Sequence, residues 1–147
     1  MKTYHQDGNH RKSAFSRLQK DYEAARPHYP LAALELVKQY CQSPSLICDI
    51  GCGTGKLTRQ LGALFPNTEI LGFDINTDMV SAAQNVGGAG IHYAVSPAED
   101  LPLTGDSADI ITGAQAVHWF DPPAFFREAL RVLSASGVLF LIENNRD

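Results

Sequence analysis

Cysteine is scarce: Cys41, Cys48 and Cys52 are the three in 147 residues, and no two of them make a CxxC pair. An odd count without that spacing argues against a disulfide framework or a zinc site; it fits reduced thiols in a cytoplasmic protein, with no metal expected. Long apolar runs are missing as well. No stretch approaches the roughly 20 residues of a membrane-spanning helix, and no membrane partner is expected. The opening "MKTYHQDGNHRKSAF" has none of the apolar character that a secretory signal requires. Nor is there a surplus of positive charge, since 12 Lys and Arg face 16 Asp and Glu. Residues 1–20 carry Lys2, Arg11, Lys12, Arg17 and Lys20 against Asp7 alone, which reads as solvated terminal charge. No nucleic-acid partner is expected.

What is present is the material for one core, because single cores commonly form at this length. Residues 1–13 are poor in apolar side chains and read as a flexible N-terminal arm, followed by a helical segment over 14–44. Within it Pro30 opens "PLAALELVKQY", where Leu31, Leu34, Val37 and Cys41 recur at helical spacing, and the helix ends before Pro44. From Ser45 short apolar runs alternate with amphipathic stretches, the signature of repeated strand–helix units. Strands are predicted near 45–50, 69–74, 91–95, 108–114 and 138–143. One helical stripe joins Leu57, Leu61, Leu64 and Phe65, and a second joins Met79, Val80, Ala83 and Val86. The third joins Phe126, Leu130 and Leu133, entered through "DPP" with Asp121 as N-cap. "VGGAG" at 86–90 reads as a helix stop. The class is therefore α/β, an open, mainly parallel sheet with its ligand beyond the carboxyl ends of the strands.

The stretch "LICDIGCGTG" places a glycine turn between a strand and a helix, where backbone approaches a ligand too closely for any Cβ. Its spacing is GxGxG. The GxGxxG of nicotinamide sites would need glycine at position 56, which is Lys56. Asp74, 19 residues after Gly55, ends the next strand where a carboxylate accepts the hydroxyls of a ribose. Asp49 lies beside the turn, and its negative charge opposes a pyrophosphate while favouring a ligand with an ammonium and a sulfonium. Together Asp49, Gly51, Gly53, Gly55 and Asp74 suit S-adenosylmethionine. The competing reading, in which Asp49 only accepts hydrogen bonds within a tight turn, explains the glycines but not the full constellation.

With these motifs in view, the chain resembles the class I S-adenosylmethionine-dependent methyltransferases, more narrowly the methyltransferase type 11 domains. The resemblance runs through "LICDIGCGTG", "ILGFDIN", "PAEDLPL", "ADIITGAQAVHWFD" and "REALRVLSASGVLFL". "YEAARPHYP" paired with "AQAVHWFD" is also similar to the subgroup containing trans-aconitate-type methyltransferases. The resemblance implies a Rossmann-like core over 45–147 with strand order 3-2-1-4-5, helices on both faces, and residues 14–44 as a lid. It also implies that Ile75 packs on adenine and that the loop at Ala98 and Glu99 meets the adenine edge. Pro97 stands where many relatives have an acidic residue, so Glu99 or Asp100 becomes the candidate partner of the adenine amino group. Gln115 and His118 face the methyl-transfer region, with His118 a candidate base and Trp119 a wall around the sulfonium. Tyr22, Arg26 and Tyr29 belong to the segment that in similar proteins folds over the cofactor mouth, where Arg26 can pair with the cofactor carboxylate and Tyr22 can line the acceptor space. Helix capping or loop packing competes for each of these last residues.

The implied activity is methyl transfer to a small-molecule acceptor by in-line displacement, with S-adenosylhomocysteine as product. Relative to the family pattern the chain reads as C-terminally truncated after the fifth strand. That leaves an apolar edge, Val138 to Ile142, expected to be covered by a second copy or a partner chain. The alternative from another class is a module that binds S-adenosylmethionine or S-adenosylhomocysteine without catalysis of its own and needs a partner chain or the missing C-terminal strands.

Overall fold

The computed structural model describes residues 29–114 and 121–143. Tyr22, Arg26, Gln115, His118 and Trp119 lie outside the described residues. Chain order is α1 (Leu31–Tyr40), β1 (Leu46–Ile50), α2 (Lys56–Leu64), β2 (Glu69–Asp74), α3 (Thr77–Val86), β3 (Ile91–Val95), β4 (Ala108–Ala114), α4 (Pro122–Val132) and β5 (Leu133–Ile142). The five strands form one sheet in the order β3-β2-β1-β4-β5. Every pairing is parallel. This is the Rossmann-like arrangement. The chain moves outward from β1 through β2 to β3, then returns to pair β4 on the other side of β1, so the topological switch falls between β1 and β4.

Alternate residues of the strands feed two separate cores. On one face Ile47, Ile70 and Ile110 pack with Leu34 and Val37 of α1 and Leu57 and Leu61 of α2. On the other Cys48, Ile50, Phe73 and Ile111 pack with Phe125, Ala129 and Val132 of α4. Helices thus cover both faces, as a buried parallel sheet demands. The Cys48 thiol lies deep in the second core, and burial, helped by the charges of Asp49 and Glu69, pushes its pKa up to about 12. Among the described residues no helix is long and apolar enough to cross a membrane.

Helix ends follow local chemistry. The Pro30 carbonyl accepts from Ala33 N–H at 3.0 Å, so the proline sits just before the helix. Asn76 Oδ1 accepts from Asp78 and Met79 N–H at 2.9 and 3.1 Å, capping α3. Gly87, with φ +72°, ends that helix. Asp121 caps α4 through Ala124 N–H at 3.4 Å, as its sequence context predicts.

The strand predictions hold closely for the first four, whereas three helical stripes need correction. Leu31 is 63% exposed at the start of α1, and Val86 is 63% exposed at the end of α3. In α4 the buried face is Phe125, Glu128, Ala129 and Val132, while Phe126 and Leu130 face outward. Leu133 is not helical at all: it opens β5, five residues earlier than predicted, and pairs with Ala108. Asp106 and Ser107 N–H groups donate to the carbonyls of Arg131 and Val132 at 3.0 and 2.8 Å, drawing the chain directly from helix into sheet register. A shift between Ala108 and Ile110 then absorbs the residues between Leu133 and Val138.

Candidate functional site

At the carboxyl end of β1 the chain folds over the end of β2. Gly51 and Cys52 N–H both donate to the Phe73 carbonyl, at 2.7 and 2.9 Å. The next residues turn through left-handed conformations at Gly51 (φ +70°), Gly53 (φ +57°) and Gly55 (φ +90°), which explains the alternating glycines. Gly55 is doubly constrained, since a Cβ there would collide with the Tyr93 hydroxyl. It also precedes α2, leaving the first N–H groups of that helix without a side-chain cap.

Tyr93 is the floor of this loop. Its ring, projecting from β3, also crosses Gly72, where a Cβ would lie 2.6 Å from the Tyr93 Cδ1. The phenol is buried, and burial raises its pKa. Its oxygen has no hydrogen-bond partner among the described residues, although the Arg59 guanidinium lies close by.

Asp74 stands where β2 ends. One oxygen accepts from Gly53 N–H and the other from Asn76 N–H, both at 2.9 Å, so the carboxylate is fixed against the glycine turn. A carboxylate offers about four acceptor positions, and two further hydroxyl donors can still be received. Ile75 follows and is 73% exposed, an apolar side chain held in solvent beside the carboxylate. Beyond β3, Ser96 N–H bonds the Asp74 carbonyl at 3.0 Å, bringing the Pro97–Asp100 loop alongside. Ala98 is buried in the core under that loop. Glu99 accepts from Asp121 N–H at 2.9 Å and thereby ties the loop to the entry of α4.

Asp49 is 1% exposed, in a register that faces Gly72 of β2 and Thr112 of β4. Thr58 Oγ1 donates to its Oδ2 at 2.7 Å, and Thr112 Oγ1 donates to its Oδ1 at 2.9 Å. A small cleft above it, at the switch point, is lined by Tyr29, Asp49, Gly51, Lys56 and Ala114. Tyr29 is held there by Gln60 of α2, which accepts from Tyr29 N–H at 3.2 Å and donates to its carbonyl at 3.0 Å.

The structure therefore gathers Asp49, Gly51, Gly53, Gly55 and Asp74 around one loop, with Ile75, Ala98 and Glu99 along the neighbouring strand ends. Two pairs escaped the sequence reading. Thr58 and Thr112 looked like ordinary polar positions, and the only signal was a polar residue interrupting an apolar helix stripe and an apolar strand. Glu128 and Arg131 form the second pair: Arg131 donates to both Glu128 oxygens, at 2.6 and 2.9 Å. Glu128 in turn accepts from Leu101 N–H, while Arg131 reaches the Leu101 and Leu103 carbonyls at 3.2 and 2.9 Å. This clamp fixes the loop that follows Ala98. The Arg131 hydrogen bonds lower the Glu128 pKa, outweighing its burial.

The family model described as a methyltransferase domain matches residues 48–141. A Dictyostelium discoideum protein named as a methyltransferase is 32% identical over 141 residues, covering 90% of this chain and 52% of its own length. Among solved structures, one from Anaeromyxobacter dehalogenans described as a type II methyltransferase is 30% identical with a TM-score of 0.74, over 82% of this chain and 50% of that one. Another, from Methanococcus maripaludis and described as S-adenosyl-L-methionine-dependent, has a TM-score of 0.76 at 22% identity, over 98% of this chain and 68% of that one. It shares the fold. The chain spans about half the length of the curated relatives it matches, 48–52% for the first four.

Proposed function

Since the chain belongs to the methyltransferase domain family, we propose that it binds S-adenosylmethionine at the β1 turn and supports methyl transfer to a small-molecule acceptor. The observation that carries this reading is the coupling of Asp74 to the turn: one carboxylate orders Gly53 N–H and remains able to receive a ribose. Asp49, at the cleft beyond the turn, takes the ammonium end, and Ile75 covers one face of the adenine. The three glycines supply the positive φ values that this turn requires. S-adenosylmethionine supplies an electrophilic methyl group on a sulfonium, so the protein's contribution is to bind, orient and exclude water. Gln115, His118 and Arg26 are assigned to the acceptor side and the cofactor carboxylate by family resemblance. Likeness to the trans-aconitate-type subgroup supports a small carboxylic acid as the first acceptor to try. Such an acceptor is already ionised near neutral pH and needs no base.

The reading extends to the open side of β5. Leu139 and Leu141 serve one core and Phe140 and Ile142 the other, yet all four remain only half-buried. A further strand of the family pattern, or a strand from a second copy or a partner chain, is the expected cover.

Calorimetry on the 147-residue chain tests the cofactor assignment, with S-adenosylmethionine and S-adenosylhomocysteine as ligands and NAD as control. Both adenosyl ligands should bind and NAD should not. Asp74→Ala should weaken S-adenosylhomocysteine about tenfold or more, through lost ribose bonds and a loosened Gly53. Unchanged affinity in that variant would remove the ribose assignment. Binding without methylated product across an acceptor screen would favour the second reading, a binding module that needs a partner chain or the further C-terminal strands for turnover.

A further inference from the structure

Asp49 differs from Asp74 in how it is held, and the difference has a chemical meaning. Asp74 is fixed by backbone N–H groups, Gly53 of the glycine turn and Asn76 of its own turn. Asp49 is fixed by two side-chain hydroxyls that come from different elements, Thr58 on α2 and Thr112 on β4. Both threonines are themselves buried, at 0% and 1% exposure, so neither hydroxyl can exchange its bond for water. A buried carboxylate is costly unless hydrogen-bonded, and two hydroxyl donors offset that cost while leaving its negative charge in place. They also fix the plane of the carboxylate, because each oxygen is held from a different side. Asp49 lines the switch-point cleft, and a negative group fixed there attracts a cationic ligand group.

We propose that Thr58 and Thr112 are positioning residues for Asp49 and that, through it, they set the site's selectivity for adenosyl ligands carrying a free α-ammonium group. The inference rests on the cofactor assignment above and deepens it. Selectivity is a difference of affinities, so its signature is a contrast between two ligands that share the adenosine. S-adenosylhomocysteine carries the amino-acid end; 5′-methylthioadenosine has the same nucleoside and thioether but no ammonium and no carboxylate. Losing either hydroxyl should therefore affect the first ligand and spare the second.

The experiment is calorimetry of both probes on the 147-residue chain and on Thr58→Val, Thr112→Val, Thr58→Ser and Thr112→Ser, with thermal unfolding recorded for each. Valine keeps the shape and deletes the hydroxyl; serine restores it. The expected result is S-adenosylhomocysteine binding about tenfold weaker in each valine variant, unchanged 5′-methylthioadenosine binding, and recovery in the serine variants. Equal weakening of both probes would overturn the proposal, since it marks a general loss of loop structure, and so would valine variants that bind both as the parent does. A parent chain that binds neither probe would overturn the cofactor assignment and this proposal with it. If the parent binds both and the contrast is absent, only the threonine roles fall.

Discussion

Glu128 is buried on the core-facing side of α4, an unusual place for a carboxylate, and each of its bonds serves the loop that follows Ala98. Because the Arg131 hydrogen bonds lower its pKa from an ordinary value near 4.5, the folded chain binds that proton less readily than the unfolded chain does. The sign follows directly: this contribution to stability is complete above about pH 4.5 and is lost as pH falls through the lower folded value. Glu128→Gln retains the shape and one acceptor but loses the charge. It should cost about 1–2 kcal/mol near neutral pH, discounted because Arg131 is itself substantially exposed. Thermal unfolding from pH 7 down to pH 3 should show the gap between parent and variant closing in acid. A gap that stays constant with pH would assign the effect to packing instead. Its partner donors are a backbone N–H and a guanidinium one turn away, and neither leaves a mark in the residue type at position 128.

At the scale of the element, a buried Glu128 belongs to a phase of α4 that apolar spacing alone does not show. A polar side chain at position 128 argues for an outward face, and two adjacent phenylalanines leave the periodicity ambiguous by one residue. The structure resolves the choice in favour of Phe125, which is fully buried, over Phe126, which is 40% exposed. Phe125→Ala should therefore cost about 3–5 kcal/mol, and Phe126→Ala less than about 1 kcal/mol. Urea unfolding of the two variants measures both, and comparable losses would restore the other phase. The first four strands were legible because each is a short apolar run with a turn signal on either side. The start of β5 was not, since nothing local marks Leu133 as a strand residue. Its conformation is set by Asp106 and Ser107, which are some 25 residues distant in sequence. The glycine turn and Asp74 were legible for the opposite reason: positive φ and close approach leave a direct trace in residue type. The threonines around Asp49 leave none, because a buried hydroxyl on a β-branched side chain resembles ordinary packing.

For the whole molecule, the parallel order puts β1 in the middle, paired on both sides, and leaves β3 and β5 with one described neighbour each. Hydrogen exchange should find the β1 amides slowest and those on the outer side of β3 among the fastest of the sheet. The outer β5 amides discriminate further: slow exchange together with a dimer-sized particle in light scattering would support a strand added at Val138–Ile142. Fast exchange in a monomer would remove that cover. Strand order was expected through family resemblance, and the Val138–Ile142 edge with it, whereas the half-burial of its side chains is set by packing from distant elements.

The contact between Gly72 and the Tyr93 ring has a consequence for how such a chain can vary. The space a methyl group would need at position 72 is already filled by the ring, with the Cys52 Cβ next at 3.2 Å. The two positions are therefore one unit of inheritance spread over two strands. A lineage can acquire alanine at 72 only after the ring at 93 has shrunk, and in that order the intermediate carries a void rather than a collision. Taken in the reverse order, the path passes through a chain in which the new methyl group and the intact ring claim the same space. Drift at this pair is directional, and the tyrosine is the residue that must move first.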